Sequence, residues 1–252
     1  MKKIKLSVLI PTKNNEDTLT ASLDSINFPN SEIIVVDSNS NDKTLLLAKK
    51  YTNKIFNYSD LNMGKKRQYA LSKGKGDWVL ILDADEELTK ELVVEITKLI
   101  NSPTKYDAYY INFNTHLFGR RLKYGGENYS MLRLIRKNYA FITPDLVHEK
   151  YISKSKKISS LKGRINHYSY RTLLQMYSKF TDYAIREAKQ QAKNKEKTSL
   201  KKIFLYPLHM FWARFIKDKG YKDGLFRIPL DLGFAYMEFL TYVSLPFFRF
   251  RK

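Results

Sequence analysis

The sequence predicts an α/β fold in which the opening strands form a parallel sheet flanked by helices, followed by a β-rich segment and a helical C-terminal extension. Three observations carry that reading. Up to residue 100, short runs rich in β-branched residues alternate with stretches whose apolar residues recur at helical spacing, the pattern of successive βαβ units. Two of those runs end in a carboxylate, Asp37 and Asp83, at the strand ends where open parallel sheets bind their ligands. Beyond residue 171 the texture turns helical, aromatic and basic.

Residues 5–11 read as a short buried strand, and 15–26 as a helix with Leu19, Leu23 and Ile26 on one face. Residues 32–36 form a second strand, and 43–50 a helix opened by the Ser/Asn/Asp cluster at 38–42. A short strand at 54–57 precedes a helix at 64–72. The run Trp78-Val79-Leu80-Ile81-Leu82 is the next strong strand, and 89–100 the helix after it. From 106 the pattern changes to strands at 106–114 and 131–136, then shorter strands or connections at 143–151 and 163–168 around a polar turn at 154–160. Helices are expected at 171–194, through the aromatic stretch 204–215 and, after a turn at 219–224, over 225–250. The expected division is a catalytic domain over 1–170 and a helical, basic, aromatic extension over 171–252.

Composition narrows the classes. A chain of 252 residues has room for one well-cored domain with added elements, and 43% hydrophobic content with 18 Tyr and 15 Phe excludes a disordered one. The absence of Cys excludes disulfides, thiolate metal sites and cysteine nucleophiles, so a metal would be held by oxygen and nitrogen. The apolar stretch at 6–10 is too short for a signal-peptide core, and a cytoplasmic location is expected. The net charge of +20 is uneven: residues 151–252 carry 22 Lys and Arg against 7 Asp and Glu, which is +15 of the total. Such a tail suits nucleic acid, an anionic membrane surface or a phosphorylated substrate, and charge alone does not choose.

Asp83-Ala84-Asp85 is the pivotal motif. Two carboxylates one residue apart at a strand end present hard oxygen ligands to Mg²⁺ or Mn²⁺, which would bridge a diphosphate and stabilise its departure. Alone, an Asp-x-Asp pair is better explained by solvated loop acids; its place after an apolar strand makes that explanation less attractive. Around it stand Pro11-Thr12-Lys13-Asn14 after the first strand, Val35-Val36-Asp37-Ser38 after the second and Gly64-Lys65-Lys66-Arg67 before a helix. With Leu82-Asp83-Ala84-Asp85-Glu86, these segments resemble family 2 glycosyltransferases in order and spacing over about residues 5–100. Further on, Gly125-Gly126, Met131-Leu132-Arg133-Leu134, Val147-His148-Glu149 and His167-Tyr168 resemble the subgroup containing lipopolysaccharide inner-core β-1,4-glucosyltransferases.

The resemblance implies a GT-A fold, Rossmann-like with a mixed sheet flanked by helices, and a set of roles. Pro11, Thr12 and Asn14 would lie at the nucleotide, Asp37 would accept from a uracil ring or ribose, and Arg67 would approach the base or diphosphate. Asp83 would touch ribose and metal, and Asp85 would be the principal metal ligand. Asn15 stands where relatives often carry Glu, so Glu16 is the residue that would take over that contact. These roles suit the residue types, since a carboxylate accepts from a uracil N–H and a guanidinium suits phosphate oxygens. Structural alternatives stand beside them: Asp37 as a helix cap, for which Asp42 is better placed, Thr12 as a turn residue, and Lys65, Lys66 and Arg67 as a solvated helix face.

An inverting transfer needs a base to take the acceptor hydroxyl proton. The candidates are Glu127, Asp145 and Glu149, and Glu149 is favoured because Val-His-Glu recurs as a unit in the resembling subgroup, with His148 placed to orient it. His167 reads either as a further metal or diphosphate ligand or as a hydrogen-bonded structural histidine. Arg133 and Arg136 read as ligands of an acceptor phosphate or as edge-strand residues.

In the tail, 232–248 is nearly apolar but interrupted by Glu238 and Pro246 and short of a spanning helix. Its aromatic and basic residues, among them Phe204, Phe211, Trp212, Tyr242, Phe247 and Phe248, suit an anionic membrane surface, the alternative being packing on the catalytic domain. The expected activity is inverting transfer of a hexose, glucose by the resemblance, from a UDP-linked donor to a glycan or lipid-linked acceptor such as a lipopolysaccharide core. It would take place peripherally on the cytoplasmic face of the inner membrane. Two rivals are a nucleotidyltransferase, whose Gly-rich signature near the first strand is missing, and a nucleic-acid-binding protein, for which no stacking or recognition-helix pattern is present.

Overall fold

The computed structural model describes residues 3–60, 62–145 and 149–249. They fall into two compact units, Met1–Phe113 with Tyr129–His167, and Asn114–Asn128 with Tyr168–Lys252. In chain order the strands are β1 Leu6–Thr12, β2 Ser31–Asp37, β3 Ile55–Asn57, β4 Trp78–Ile81, β5 Glu86–Leu88, β6 Ala108–Leu117, β7 Arg120–Arg121, β8 Ser130–Arg136, β9 Ala140–Ile142, β10 Tyr151–Ser153 and β11 Ile158–Tyr170. The helices are α1 Leu19–Asp24, α2 Thr44–Ala48, α3 Met63–Lys73, α4 Lys90–Asn101, α5 Leu173–Lys193, α6 Leu200–Trp212 and α7 Ile228–Arg249.

The main sheet runs in the order β3-β2-β1-β4-β8-β6-β11-β5, with β7 paired to β6. Its first four members are parallel, and β8, β6 and β5 join antiparallel partners, so the sheet is mixed as expected. Successive strand residues face opposite sides, which divides the core in two. Leu6, Val8 and Ile10 join Trp78, Leu80 and Leu82 under α1 and α4, whereas Leu9, Val79 and Ile81 join Ala70 and Leu71 of α3. With both faces covered, every residue of β1 and β4 is buried, which is why these strands read as continuous apolar runs.

Two strands depart from the sequence reading. Glu86–Leu88, which the sequence reading gives to no element, pairs antiparallel with β11 in the register Leu88↔Ile165, Glu87↔Asn166 and Glu86↔His167. Three residues of which two are acidic carry no strand signal; the ladder exists because β11 offers an edge. The polar turn at 154–160 is also shorter than expected, because β11 starts at Ile158. Residues 143–145 belong to no strand, and the strands bordering that stretch, β9 and β10, make a separate antiparallel pair.

The second unit is built on α5, α6 and α7, with Met176, Phe180 and Leu230 packed on Leu117 and Leu122. Thr172 and Ser199 cap α5 and α6 by accepting from Gln175 N and Lys202 N. No helix among the described residues is long and apolar enough to cross a membrane. At the unit's centre lies Arg227, fully buried. Its Nε and Nη2 donate to Asp231 at 2.8 and 3.1 Å, and its Nη1 to Asp223 at 3.1 Å. It also donates to the carbonyls of Tyr124 and Gly125 at 2.8 and 2.9 Å. Gly125 has φ +64° and a Cβ there would collide with the guanidinium, so the loop admits only glycine. Arg214 reaches the same Asp231 at 3.1 Å and pairs with Glu127.

Removing this cation leaves buried acids without compensation. Arg227→Met is expected to lower stability in urea unfolding by about 3–5 kcal/mol. Arg227→Lys should recover only part of it, because one ammonium cannot serve two carboxylates and two carbonyls together.

Candidate active site

The carboxyl ends of β1, β2 and β4 converge within the first unit. Parallel registers set Thr12 beside Asp37 and Asp37 beside Asn57, while β4 delivers Asp83 next to the end of β1. The loops after β1 and β2 are laced together by the residues that the sequence singled out. Asp37 accepts from Ser40 N at 2.8 Å and Ser40 Oγ at 2.5 Å. Asn14, at φ 52°, donates its amide to Ser40 Oγ at 2.8 Å and accepts from Asn41 N at 3.0 Å. Glu16 accepts from Lys43 N at 2.9 Å, and Thr12 Oγ1 donates to Asn15 Oδ1 at 3.0 Å. Pro11 is buried in β1 opposite Val36. In this structure these side chains build the wall of the crevice, and Asp42, accepting from Thr44 N at 3.0 Å, serves the start of α2.

Asp83 is the junction of the site. Arg67 from α3 and Arg133 from β8 both pair with it, the latter at 3.2 Å. Arg133 also donates to Glu86 Oε1 at 2.7 Å and to Ile81 O at 3.3 Å. Asp83 N donates back to Glu86 Oε2 at 2.8 Å, closing a tight turn. Arg67 is aimed by the first turn of α3, which Asn62 caps by accepting from Lys65 N at 2.8 Å. Gly64 lets that turn lie against 143–145; a Cβ would strike Thr143 O and come within 2.9 Å of Asp145 N. Arg67 also pairs with Glu149, and Tyr151 lies 5.7 Å from its guanidinium and 5.1 Å from that of Arg133.

Charge and burial set the proton states. Burial alone would raise the Asp83 carboxyl, yet the two guanidinium groups overcome it and hold Asp83 well below the usual carboxylate range. Glu86 has one such partner and is less exposed than Asp83, so burial prevails and pushes it up to about 7. His167 faces Asp85 with Nε2 at 3.6 Å from Oδ1, while Nδ1 shares a hydrogen bond of 3.1 Å with the Tyr129 hydroxyl. Burial disfavours its charged form, but Asp85, Glu86 and Asp83 together hold its pKa above the ordinary histidine value.

Of the candidate residues, Arg67, Asp83, Asp85, Arg133, Glu149 and His167 come together. Arg133 lies beneath the acids, buried, rather than open to an acceptor phosphate. Arg136 sits at the other end of β8, paired with Asp107 at 3.0 Å and 4.5 Å from the Trp78 ring, because three residues along a strand carry it away from the crevice. Glu127 belongs to the second unit, where arginines surround its carboxylate. Asp145 borders the first turn of α3, with its backbone accepting from Gly64 N at 3.3 Å. His148 lies outside the described residues. The sequence reading missed Glu86, Tyr129 and Tyr151; Glu86 lies opposite His167 only through the β5–β11 register, which no local pattern signals.

Fold and crevice together define a GT-A-type glycosyltransferase: a mixed sheet flanked by helices, with paired acids at the carboxyl end of a central strand and a helical C-terminal part. The chain belongs to Glycosyl transferase family 2, whose sequence model matches residues 7–165. It is 29% identical over 252 residues to an uncharacterised glycosyltransferase of Rickettsia bellii, covering 96% of this chain and 86% of that one. It is 36% identical over 109 residues to the poly(ribitol-phosphate) beta-N-acetylglucosaminyltransferase TarS of Staphylococcus aureus, covering 39% of this chain and 19% of TarS. Among solved structures it resembles residues 1–349 of S. aureus TarS in complex with UDP-GlcNAc, at 18% identity and TM-score 0.49, over 97% of this chain and 91% of that one.

The junction at Asp83 gives a stability test. Arg133→Met should cost about 3–5 kcal/mol near pH 7, since it strands the buried Glu86 and leaves Asp83 with Arg67 alone. Without the cation Glu86 binds its proton more tightly folded than unfolded, while Asp83 keeps Arg67, so stability in the variant should recover as pH falls from about 7 towards 5 and Glu86 is neutralised. Urea unfolding at both pH values reads this directly.

Proposed function

We propose that this glycosyltransferase inverts configuration while moving a hexose, glucose by the lipopolysaccharide-core resemblance, from a UDP-linked donor to a glycan or lipid-linked acceptor. The observation that carries the reading is the convergence of Asp83, Asp85, Glu149, Arg67 and His167 beyond the end of β4. The poly(ribitol-phosphate) beta-N-acetylglucosaminyltransferase relative is named for a β-linked hexosamine, which supports a hexosyl donor. In this assignment Thr12 and Asp37 bind the nucleotide beside a wall built by Pro11, Asn14 and Glu16, and Arg67 meets the diphosphate.

Asp83, Glu86 and Glu149 pair with Arg67 and Arg133 while Asp85 faces His167, so the four acids outnumber the guanidinium groups by two. Among the described residues no group of three or more His, Asp or Glu is arranged to hold a metal by itself. Mg²⁺ and Mn²⁺ accept one or two protein ligands when substrate phosphates and water complete the shell. Asp85 and His167 suit that arrangement, with Asp83 steadied by its arginines. Bound there, the cation would neutralise charge developing on the departing UDP. Glu149 is assigned as the base that takes the acceptor hydroxyl proton, and Arg67 as the group that fixes its carboxylate. The catalytic assignment covers 1–170. The extension over 171–252 would hold the enzyme peripherally at an anionic membrane surface on the cytoplasmic side of the inner membrane.

Two measurements test the chemistry. Asp85→Ala, or excess chelator, is expected to abolish sugar transfer and to weaken UDP binding by calorimetry at least ~10-fold while leaving the thermal transition in place. Full turnover in chelator would remove the metal from the mechanism. Glu149→Gln should lose about 10²–10⁴-fold in kcat yet keep donor affinity; the same loss in Asp145→Asn or Glu127→Gln instead would move the base.

A further inference from the structure

The second unit leaves one helix face without a protein partner. Leu200, Phe204, Leu208, Trp212 and Ile216 recur every fourth residue along α6 and the π-type turn Ala213–Lys217 that continues it, and each is 47–75% exposed. Leu205 lies beside them and is also exposed. At about 100° per residue, the positions within α6 span roughly 140° of its circumference, the width of an apolar face that ordinarily meets a core. None of the residues of α6 is buried. Its other side meets α7: Thr198 Oγ1 donates to Tyr242 O at 3.1 Å, and the Tyr206 ring lies 5.6 Å from that of Tyr242. The apolar ridge is therefore held outward.

The charge around the ridge identifies what covers it. From Leu200 to Lys217 there is no Asp or Glu, while Lys201, Lys202, Arg214 and Lys217 are cations. Arg214 is paired with Glu127 and Asp231, and Lys202 with Glu196; Lys201 and Lys217 are exposed. A second copy of this face would bring like charges together. An anionic bilayer satisfies both properties, since its headgroups take the lysines and its acyl boundary takes the Leu, Phe and Trp side chains.

We infer that the α6 ridge is a monotopic docking face for an anionic lipid surface, with Phe204, Leu208 and Trp212 inserted and Lys201 and Lys217 at headgroup level. This deepens the membrane assignment above and rests on it. It also redistributes the aromatic residues of the tail: Tyr242 is buried and Phe211 half-buried, so neither is available to lipid.

The test uses the full chain and vesicles of phosphatidylglycerol in phosphatidylcholine, without donor or acceptor, with UDP-sugar turnover in solution measured in parallel. Docking and chemistry can then fail separately. Binding should rise with phosphatidylglycerol content, and Leu208→Glu with Phe204→Ser should reduce the partition coefficient by roughly tenfold or more while solution turnover is unchanged. Lys201→Glu or Lys217→Glu should each lower it by about fivefold or more at low salt, an effect that fades as salt is added. The chain has two Trp, and Trp78 is buried, so a blue shift on vesicle addition that disappears in Trp212→Phe reports insertion of Trp212. Equal vesicle binding by the wild type and the ridge variant would overturn the inference. So would a wild-type dimer in sedimentation that the ridge variant abolishes, which would make the face a contact between copies.

Discussion

Asp83 held between Arg67 and Arg133 is the interaction on which the crevice depends. The carboxylate leaves β4, and the two cations come from α3 and β8, so one buried ionic contact joins the parallel part of the sheet to the antiparallel part. Buried charges of this kind are costly unless each has its partner. Here the partners form a chain: Glu149 on Arg67, Asp83 between the arginines, Glu86 on Arg133 and, through β5, His167 opposite Asp85. The geometry of each group is fixed by the next, the condition under which electrostatic stabilisation of a reacting phosphate needs no rearrangement.

The excess of acid over arginine in that chain gives it a second property. Burial raises the pKa of Glu86, and the acids around His167 raise that of the imidazole against the effect of burial, so both groups favour holding protons. A divalent cation would compete with those protons for the same negative field.

The second unit uses the same chemistry. Arg227 and Arg214 bind Asp231, Asp223 and Glu127, so each of the three carboxylates has a guanidinium partner, and the guanidinium of Arg227 reaches into the backbone of the 124–125 loop. That closed network fixes α7 against the loop and leaves the apolar side chains of α6 as the part not committed to packing. The basic character of the tail thus has two origins: buried arginines that are structural, and exposed lysines that are free to meet a surface.

The apolar runs determined β1, β2 and β4, since a strand covered on both faces must be continuously hydrophobic. The acids at their ends, with the spacing of Pro11, Asp37, Arg67 and Asp83, were enough to indicate the family. Tertiary structure decided what the sequence left open. Glu86–Leu88 is a strand because β11 lies beside it, and that register, not any local preference, brings His167 to Asp85. Arg133 and Arg136 look alike in the chain, yet three strand residues separate a buried partner of Asp83 from a surface partner of Asp107. Glu127 and Glu149 were both candidates for the base, with Glu149 favoured by the resemblance; folding enclosed the first among arginines in the second unit and set the other on Arg67. Local sequence encodes periodicity and residue chemistry, whereas the pairing of distant charges depends on which strands become neighbours, and only the folded chain specifies that.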